Sequence, residues 1–263
     1  MNESTQGPVV IDLNADVGEN PEALADGSEE ALLRVVTSAN VACGGHAGDD
    51  ATMAAVLSLA ARLGVATGAH PGYPDRAGFG RDSLGMTPAG IEDSVFKQVR
   101  SLADAAALAR CRLVHVKPHG ALYNDAARDR EVAAAVARGV SRWAQGVVLV
   151  GMAGSVMLEV FKEHGFQTAA EAFADRAYEA DGMLRSRKLS GALITDPARA
   201  ATQAVRIARE GLVRSFDGRD VAVRARTICV HGDTPGAVSI AAAVRDELAA
   251  KGVRLASLGS TES

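Results

Sequence analysis

"HVKPHGALYN", His115 to Asn124, sets two histidines and a lysine within five residues, where a short apolar run gives way to a Pro–Gly turn and a helix-like stretch. The run before it, "LVHV", has strand character. Side chains alternate along a strand, so His115, Lys117 and His119 share one side while Val114 and Val116 take the other. Lys117 and His119 then stand at the strand's C-terminal end. A histidine near its ordinary pKa of about 6.5 can exchange a proton at neutral pH. A neighbouring lysine can hold a carboxylate or steady a developing oxyanion.

The same juxtaposition recurs along the chain, and its recurrence decides the fold. "VVIDLN" reads as a strand ending among Asp12, Asn14 and Asp16. "ANVAC" leads to Asn40, Cys43 and His46, and "VATGAH" ends at His70. "QTAAEAF" carries Glu171 and runs into Asp175 and Arg176, and "TICVHG" delivers His231 and Asp233. Five of the six histidines fall at such ends; only His164 sits at a helix end.

Helical segments separate these runs. From Asp49 to Leu63, Met53, Val56, Leu57, Ala60 and Leu63 keep the 3–4 spacing of one buried face, and Gly64 stops the helix. Thr87-Pro88 opens another, with Ile91, Val95, Val99 and Leu102 on one side and proline where its missing N–H is not needed. Further helices are expected over "SEEALLRVV" with Ser28 as cap, from the Pro–Gly turn to about Ala144, over Ser155 to His164, from Asp196-Pro197 to Gly211, and from Thr234-Pro235 onward, with Asp233 or Thr234 as its cap. "VVLVG" and "VRLASL" read as strands, and "FDGRD" as a turn between two short ones. The polar, arginine-rich section Ala174 to Leu193 reads as a surface excursion and a candidate lid.

Alternating β and α over 263 residues points to a single domain, residues 1–263, with a parallel sheet and helical crossovers. An open sheet concentrates its site at one switch point. A closed barrel gathers every strand C-terminus on one face. Polar clusters after nearly every strand therefore favour the barrel. Each cluster alone has an ordinary explanation, since Asp and Asn are common turn residues and glycines shape tight loops. Their co-location is what points to function.

The bulk properties narrow the classes. A net charge of −4, without a basic stripe, argues against nucleic acid. Cys43, Cys111 and Cys229 are too few and too scattered for a disulfide framework or a zinc finger. "MNESTQGPVV" lacks the pattern of a signal peptide. The longest uncharged stretch, Trp143 to Leu158, is too short to span a bilayer comfortably. A reducing cytoplasm is the expected location. Neither G-K-[ST], H-E-x-x-H nor G-x-S-x-G occurs, so the chain carries no nucleotide P-loop and none of the common hydrolase signatures.

Read in order, "DLNADVGE", "SANVACGGHAGD", "GAHPGYPDRAGFGR", "VKPHGALYN", "EAFADRAY" with "DGMLRSR", and "VHGD" resemble the signature blocks of the LamB/YcsF family, over roughly Ile11 to Leu248. The resemblance implies a (β/α)7-type barrel of the glycoside hydrolase/deacetylase kind. It implies ATP-dependent opening of 5-oxoproline to glutamate, the chain serving as the A component of a 5-oxoprolinase with partner subunits B and C. It marks Asp12, Asp16, His46, His70, Lys117, His119, His231 and Asp233 as catalytic candidates; beside them, Asn14, Asn40, Glu171 and Arg176 at the strand ends are candidates for holding the substrate. Without a P-loop here, ATP is expected to be a co-substrate bound mainly by the partners. The base is expected among Asp12, Asp16, His46 and His119. A divalent metal held by Asp12, His46 and His70 is a further arrangement, since related barrels bind an ion with one Asp and two His; the expectation is no obligatory metal. Two alternatives stand beside this: a stand-alone metal-dependent hydrolase or deacetylase of a small amide or sugar, and a non-catalytic substrate-binding subunit. Gly45 and Asp50 depart from the family pattern, which has a bulkier residue and a proline there.

Overall fold

The structure, a computed structural model, describes residues 9–260. Most of the N-terminal stretch read above for a signal peptide lies outside them. In chain order the strands are β1 (Val10–Val17), β2 (Ser38–Ala42), β3 (Ala66–His70), β4 (Leu113–Val116), β5 (Val148–Met152), β6 (Gln167–Phe173), β7 (Leu212–Arg214), β8 (Asp220–Ala222), β9 (Thr227–Val230) and β10 (Arg254–Leu255). The helices are α1 (Pro21–Ala25), α2 (Ser28–Leu33), α3 (Asp50–Leu63), α4 (Pro88–Leu108), α5 (Gly120–Ala126), α6 (Arg130–Ser141), α7 (Val156–Glu163), α8 (Pro197–Glu210) and α9 (Ala237–Ala250).

Strands β1 to β6 pair in sequence order and in parallel, β6 pairs with β9, and β9 returns to β1. The sheet thus closes into a seven-strand barrel, as the distribution of polar strand ends requires. β10 pairs with Val10 and Ile11 at the start of β1, just before β9 takes over that edge at Asp12. β7 and β8 form a separate antiparallel hairpin around the Asp-Gly turn.

Alternation divides each strand between two environments. Leu13, Ala15, Val17, Val41, Val116, Leu149, Ala172, Ile228 and Val230 are buried in the large apolar core that the barrel forms with its helices. The opposite set, Asp12, Asn14, Asp16, Ser38, Asn40, His70, His115, Lys117, Glu171 and Thr227, is equally buried but polar, and points into the barrel. Barrels of this kind are usually filled by layers of Val, Ile and Leu. Here only the lower end is apolar, where Val148, Val150 and Ala169 pack with Leu258 from the C-terminal segment.

Several local expectations need correction. Ser28 is the first residue of α2 and Gly27 its cap. The stretch expected to run helical to Ala144 breaks in two, because the Asp129 carboxylate accepts from Glu131 and Val132 N–H and starts a new helix. The last helix begins at Ala237 behind Gly236, so neither Asp233 nor Thr234 caps it; the Thr234 hydroxyl donates to Asp175 instead.

Candidate functional site

The barrel interior is one connected polar network. Asp12 accepts hydrogen bonds from Thr37, Ser38 and Thr227. Burial pushes its pKa up, and those bonds offset only part of the shift. The Asn14 amide donates to Glu171 (3.1 Å) and Thr227 (2.6 Å), and the Asn40 amide to Asn14 (2.7 Å) and Asp16 (2.8 Å). The His115 Nε2 lies 2.8 Å from the Asn40 side-chain oxygen Oδ1. Its ring needs Gly68 opposite, where a Cβ would come within 2.3 Å of it. Burial, then the Lys117 charge, pull the His115 pKa down to about 3.

Lys117 is the hub. Its ammonium contacts Asp16 Oδ1 (2.8 Å), Glu171 Oε1 (3.1 Å) and Cys229 Sγ (3.1 Å). Burial opposes charge on both Asp16 and Lys117. The surrounding opposite charges outweigh it, holding the carboxyl well below its usual range and the ammonium well above.

Above this network opens a cavity of about 420 Å³. Asp16, Glu19, His70, Lys117 and His119 form one wall, Phe173, Arg176 and His231 another, and Arg81, Arg187, Lys188 and Asp233 the rim. Asp12, Asn14, Asn40, Glu171 and His46 do not line it; Asn40, Glu171 and His46 bond to residues that do, Asp16, Lys117 and Glu19. The section Ala174 to Leu193 does cover the cavity. Leu184 to Lys188 line it, and ion pairs from Arg187 and Arg81 to Asp233 and from Lys188 to Asp82 tie the rim together.

Two arrangements stand out. In the first, His231 Nδ1 lies 3.0 Å from Asp175 Oδ1, and Asp175 also accepts from the His231 N–H and the Thr234 hydroxyl. Burial raises the Asp175 pKa, but the nearby His231 and its hydrogen bonds hold it below the ordinary value. A carboxylate at Nδ1 fixes the proton there. It leaves Nε2, which has no hydrogen-bond partner among the described residues, on a ring stacked over Phe173 with 5.2 Å between centroids.

In the second, His46, His70 and His119 converge on Glu19. His46 Nε2 is 2.8 Å and His119 Nδ1 3.1 Å from Glu19 Oε1, and His119 Nδ1 is 3.0 Å from His70 Nε2. His46 and His70 therefore meet Glu19 and His119, not Asp12. Both ring nitrogens of His119 are engaged, the second with Phe79 O at 3.0 Å.

The departure at Gly45 has a physical cause. A Cβ there would overlap the Gln98 amide, which fills the space and clamps Gly72 through both its oxygen (3.0 Å) and its nitrogen (2.8 Å). Asp50 is exposed at the first turn of α3, behind its cap Asp49.

Arg176 is buried and bonds only to the carbonyls of Ala192 (3.3 Å) and Arg185 (2.7 Å); no carboxylate pairs with it among the described residues. Burial, then the Arg187 charge, lower its pKa to about 10. Glu19 was missing from the residues singled out in sequence, and Asp175 was noted after its strand without a role. Both belong to blocks that were singled out, "DLNADVGE" and "EAFADRAY".

A parallel β/α barrel with a buried acid–base and cationic site at its strand C-termini defines the general class, and comparison supplies the family. Residues 11–263 match the model of the LamB/YcsF family, and the chain belongs to that family. It is 52% identical over 243 residues to a protein of Chloroflexus aggregans named as the A subunit of 5-oxoprolinase, covering 92% of this chain and 96% of the relative. A protein of the same name from Methylococcus capsulatus is 47% identical over 95% of this chain and 96% of its own. The lactam utilization protein of Thermus thermophilus superposes with a TM-score of 0.87 at 43% identity, covering 94% of this chain and 98% of that one. A putative cellobiose-phosphate cleavage protein of Enterococcus faecalis, with a TM-score of 0.56 and 17% identity, shares the fold alone.

Proposed function

We propose that this chain is the lactam-opening A component of a 5-oxoprolinase, converting 5-oxoproline to glutamate with ATP together with partner subunits B and C. The observation that carries it is the His231–Asp175 pair beside the Lys117–Asp16 pair, with His231 and Asp16 atoms within 4.8 Å of each other, in a cavity whose wall holds a buried arginine that no carboxylate pairs with among the described residues. The names of relatives that align over nearly their whole length supply the substrate.

A lactam is an unreactive amide. With no P-loop in this chain, ATP binds mainly on the partners, which activate the lactam by phosphorylating its carbonyl oxygen. Arg176, with Arg187 beside it, holds the substrate carboxylate or the phosphoryl group as a rigid fork. His231 Nε2 takes a proton from the attacking water. Asp175 keeps the imidazole in the useful tautomer and steadies the imidazolium, as in other His–Asp pairs. Water adds to the carbonyl carbon, the ring C–N bond breaks as His231 returns a proton to the leaving nitrogen, and a second water hydrolyses the resulting acyl phosphate to glutamate and inorganic phosphate. Lys117 sets a positive charge beside the developing oxyanion. We place the reaction in the cytoplasm, supported by three free cysteines and by the lack, among the described residues, of any helix long and apolar enough to cross a membrane.

The test is glutamate release from 5-oxoproline and ATP by this chain alone, by subunits B and C alone, and by the full mixture. Turnover in the mixture only is the expected result. Turnover by this chain alone overturns the placing of ATP on the partners. No turnover in any tube, with all components folded, overturns the lactam-opening assignment.

A further inference from the structure

We propose that Arg81 and Arg187 form a phosphoryl-binding subsite at the mouth of the cavity, separate from a carboxylate subsite at Arg176, and that the Asp233 carboxylate holds the place of the phosphoryl group in the free chain. The blocks "GAHPGYPDRAGFGR" and "DGMLRSR" end in these two arginines.

Arg187 meets Asp233 as a fork, with Nη1 3.2 Å from Oδ2 and Nη2 3.4 Å from Oδ1. Arg81 Nη2 donates to the same Oδ2. The three side chains come from three loops: the one after β3, the section that covers the cavity, and the one after β9. One carboxylate, with a single negative charge, thus stands between two guanidiniums. The planar guanidinium matches phosphate oxygens as well as carboxylate oxygens, two bonds at a time. A phosphoryl group brings a charge of about −1.5 to −2 and three acceptor oxygens. It balances both arginines where Asp233 balances one.

The backbone behind Arg81 is built to hold it there. Phe79 and Gly80 both turn through positive φ, 54° and 62°. That conformation is uncommon for a phenylalanine and persists where the surroundings fix it, as they do at ligand clamps. Here the Phe79 carbonyl is bonded to the His119 ring, and the Phe79 ring lies 4.8 Å from the Arg81 guanidinium carbon. Lys188 stands on the same rim but is left out of the subsite, because it is largely exposed and already pairs with Asp82.

Arg176 is the deeper cation. Its Nε and Nη2 are taken by the carbonyls of Ala192 and Arg185, and its Nη1 has no partner among the described residues. Arg187 is near enough for its charge to act on Arg176, as the second cause after burial of the lowered pKa there. Two neighbouring cationic centres, one buried and one at the mouth, fit a ligand with an anion at each end. On the lactam-opening assignment that ligand is the activated lactam, with its carboxylate on Arg176 and its phosphoryl group on Arg81 and Arg187. The phosphoryl group then faces the opening through which a partner delivers it. The identity of the ligand rests on that assignment, whereas the anion subsite does not.

The experiment titrates inorganic phosphate into this chain alone, at constant ionic strength, and is read by calorimetry. We expect one saturable site per chain. Arg81→Gln and Arg187→Gln each weaken it by roughly tenfold. Asp233→Asn tightens it by about threefold or more, because it removes a competitor whose exposed ion pairs contribute little to the fold. Arg100→Gln, at an exposed ion pair on α4, leaves it unchanged. 2-Amino-5-phosphonopentanoate, a shorter and non-hydrolysable relative of the ring-opened acyl phosphate, carries both anions and binds about tenfold or more tighter than phosphate. Arg176→Gln abolishes that gain. Circular dichroism confirms that each variant is folded. No saturable binding by either wild type or Asp233→Asn overturns the subsite, as does binding that Arg81→Gln and Arg187→Gln leave intact, which means an adventitious ion only. An affinity that Asp233→Asn lowers or leaves unchanged overturns the place-holding role. A phosphonate no tighter than phosphate overturns the pairing with Arg176. Neither ATP nor a partner subunit enters this measurement, so its failure is distinct from failure of the turnover assay.

Discussion

Taking away the Lys117 ammonium leaves Asp16 and Glu171 buried together with no positive charge between them, since both lie within 3.1 Å of its nitrogen. Removing one partner of a buried ion pair is worse than never having built it, because the remaining charge is stranded. Lys117→Met is expected to destabilise the chain by about 3–5 kcal/mol, read as a lower denaturant midpoint. An unchanged midpoint means that the two carboxylates find other partners. Asp175→Asn acts differently. The amide lets the His231 proton move to Nε2, the wrong tautomer for a base, and a fall in kcat of about 10²–10⁴-fold with little change in KM is expected in the full mixture. A change confined to KM would make His231 a binding residue. At this scale the sequence showed residue types well and partners poorly. A Lys beside Pro-His at a strand end is conspicuous in one dimension. The pairing of His231 with Asp175 joins positions 56 residues apart, and only the adjacency of β6 and β9 brings them together.

Among the elements, α2 carries the least expected acid. Glu29 is buried beneath the turn that follows β1, and the Gly18 N–H donates to its carboxylate. Burial raises its pKa to about 7, against the smaller opposing effect of that bond, with Glu19 and Asp26 adding to the rise. The native state therefore holds this proton between about pH 4.5 and 7 while the unfolded chain has lost it, so stability falls as pH rises through that window. Glu29→Gln keeps an acceptor for Gly18 and removes the titration. It is expected to match wild type near pH 5 and to be more stable near pH 8 by about 1–3 kcal/mol, a few degrees in Tm. Parallel Tm-against-pH curves for the two proteins would show that Glu29 titrates normally. Element boundaries were legible where capping chemistry is local: Asp49 and Gly64 bound α3, and Thr87-Pro88 starts α4, as their residue types imply. The break between α5 and α6 was not. The residues across it are as helix-compatible as their neighbours, and only the Asp129 side chain, turned back onto the chain, marks it.

Over the whole molecule the barrel's two ends carry different burdens. The C-terminal end is cationic, polar and tied across its mouth by ion pairs; the N-terminal end is closed by Leu258 on Val148, Val150 and Ala169. Closure of the barrel was legible because nearly every strand ended in chemistry. The polar interior was legible only in part: alternation placed His115 and Lys117 on one side, but the depth to which Asp12, Ser38 and Thr227 are buried depends on how seven strands meet around one axis. Activity and stability should therefore separate along that axis, as they do where strand C-termini build the site and the opposite face builds the fold. Leu258→Ala removes part of an apolar seal far from the cavity. It is expected to cost about 1–3 kcal/mol, less than a fully buried leucine because the side chain is only partly covered, with kcat and KM unchanged in the folded fraction. Arg187→Ala removes a partly exposed rim charge whose partner Asp233 keeps Arg81, so stability should move by less than about 0.5 kcal/mol while KM for the anionic substrate rises several-fold. Denaturation and turnover measured on both variants decide the matter. If Leu258→Ala lowers kcat as much as it lowers stability, the two ends are mechanically coupled, and the rigid barrel assumed in assigning roles to His231, Lys117 and Arg176 is the wrong frame for this site.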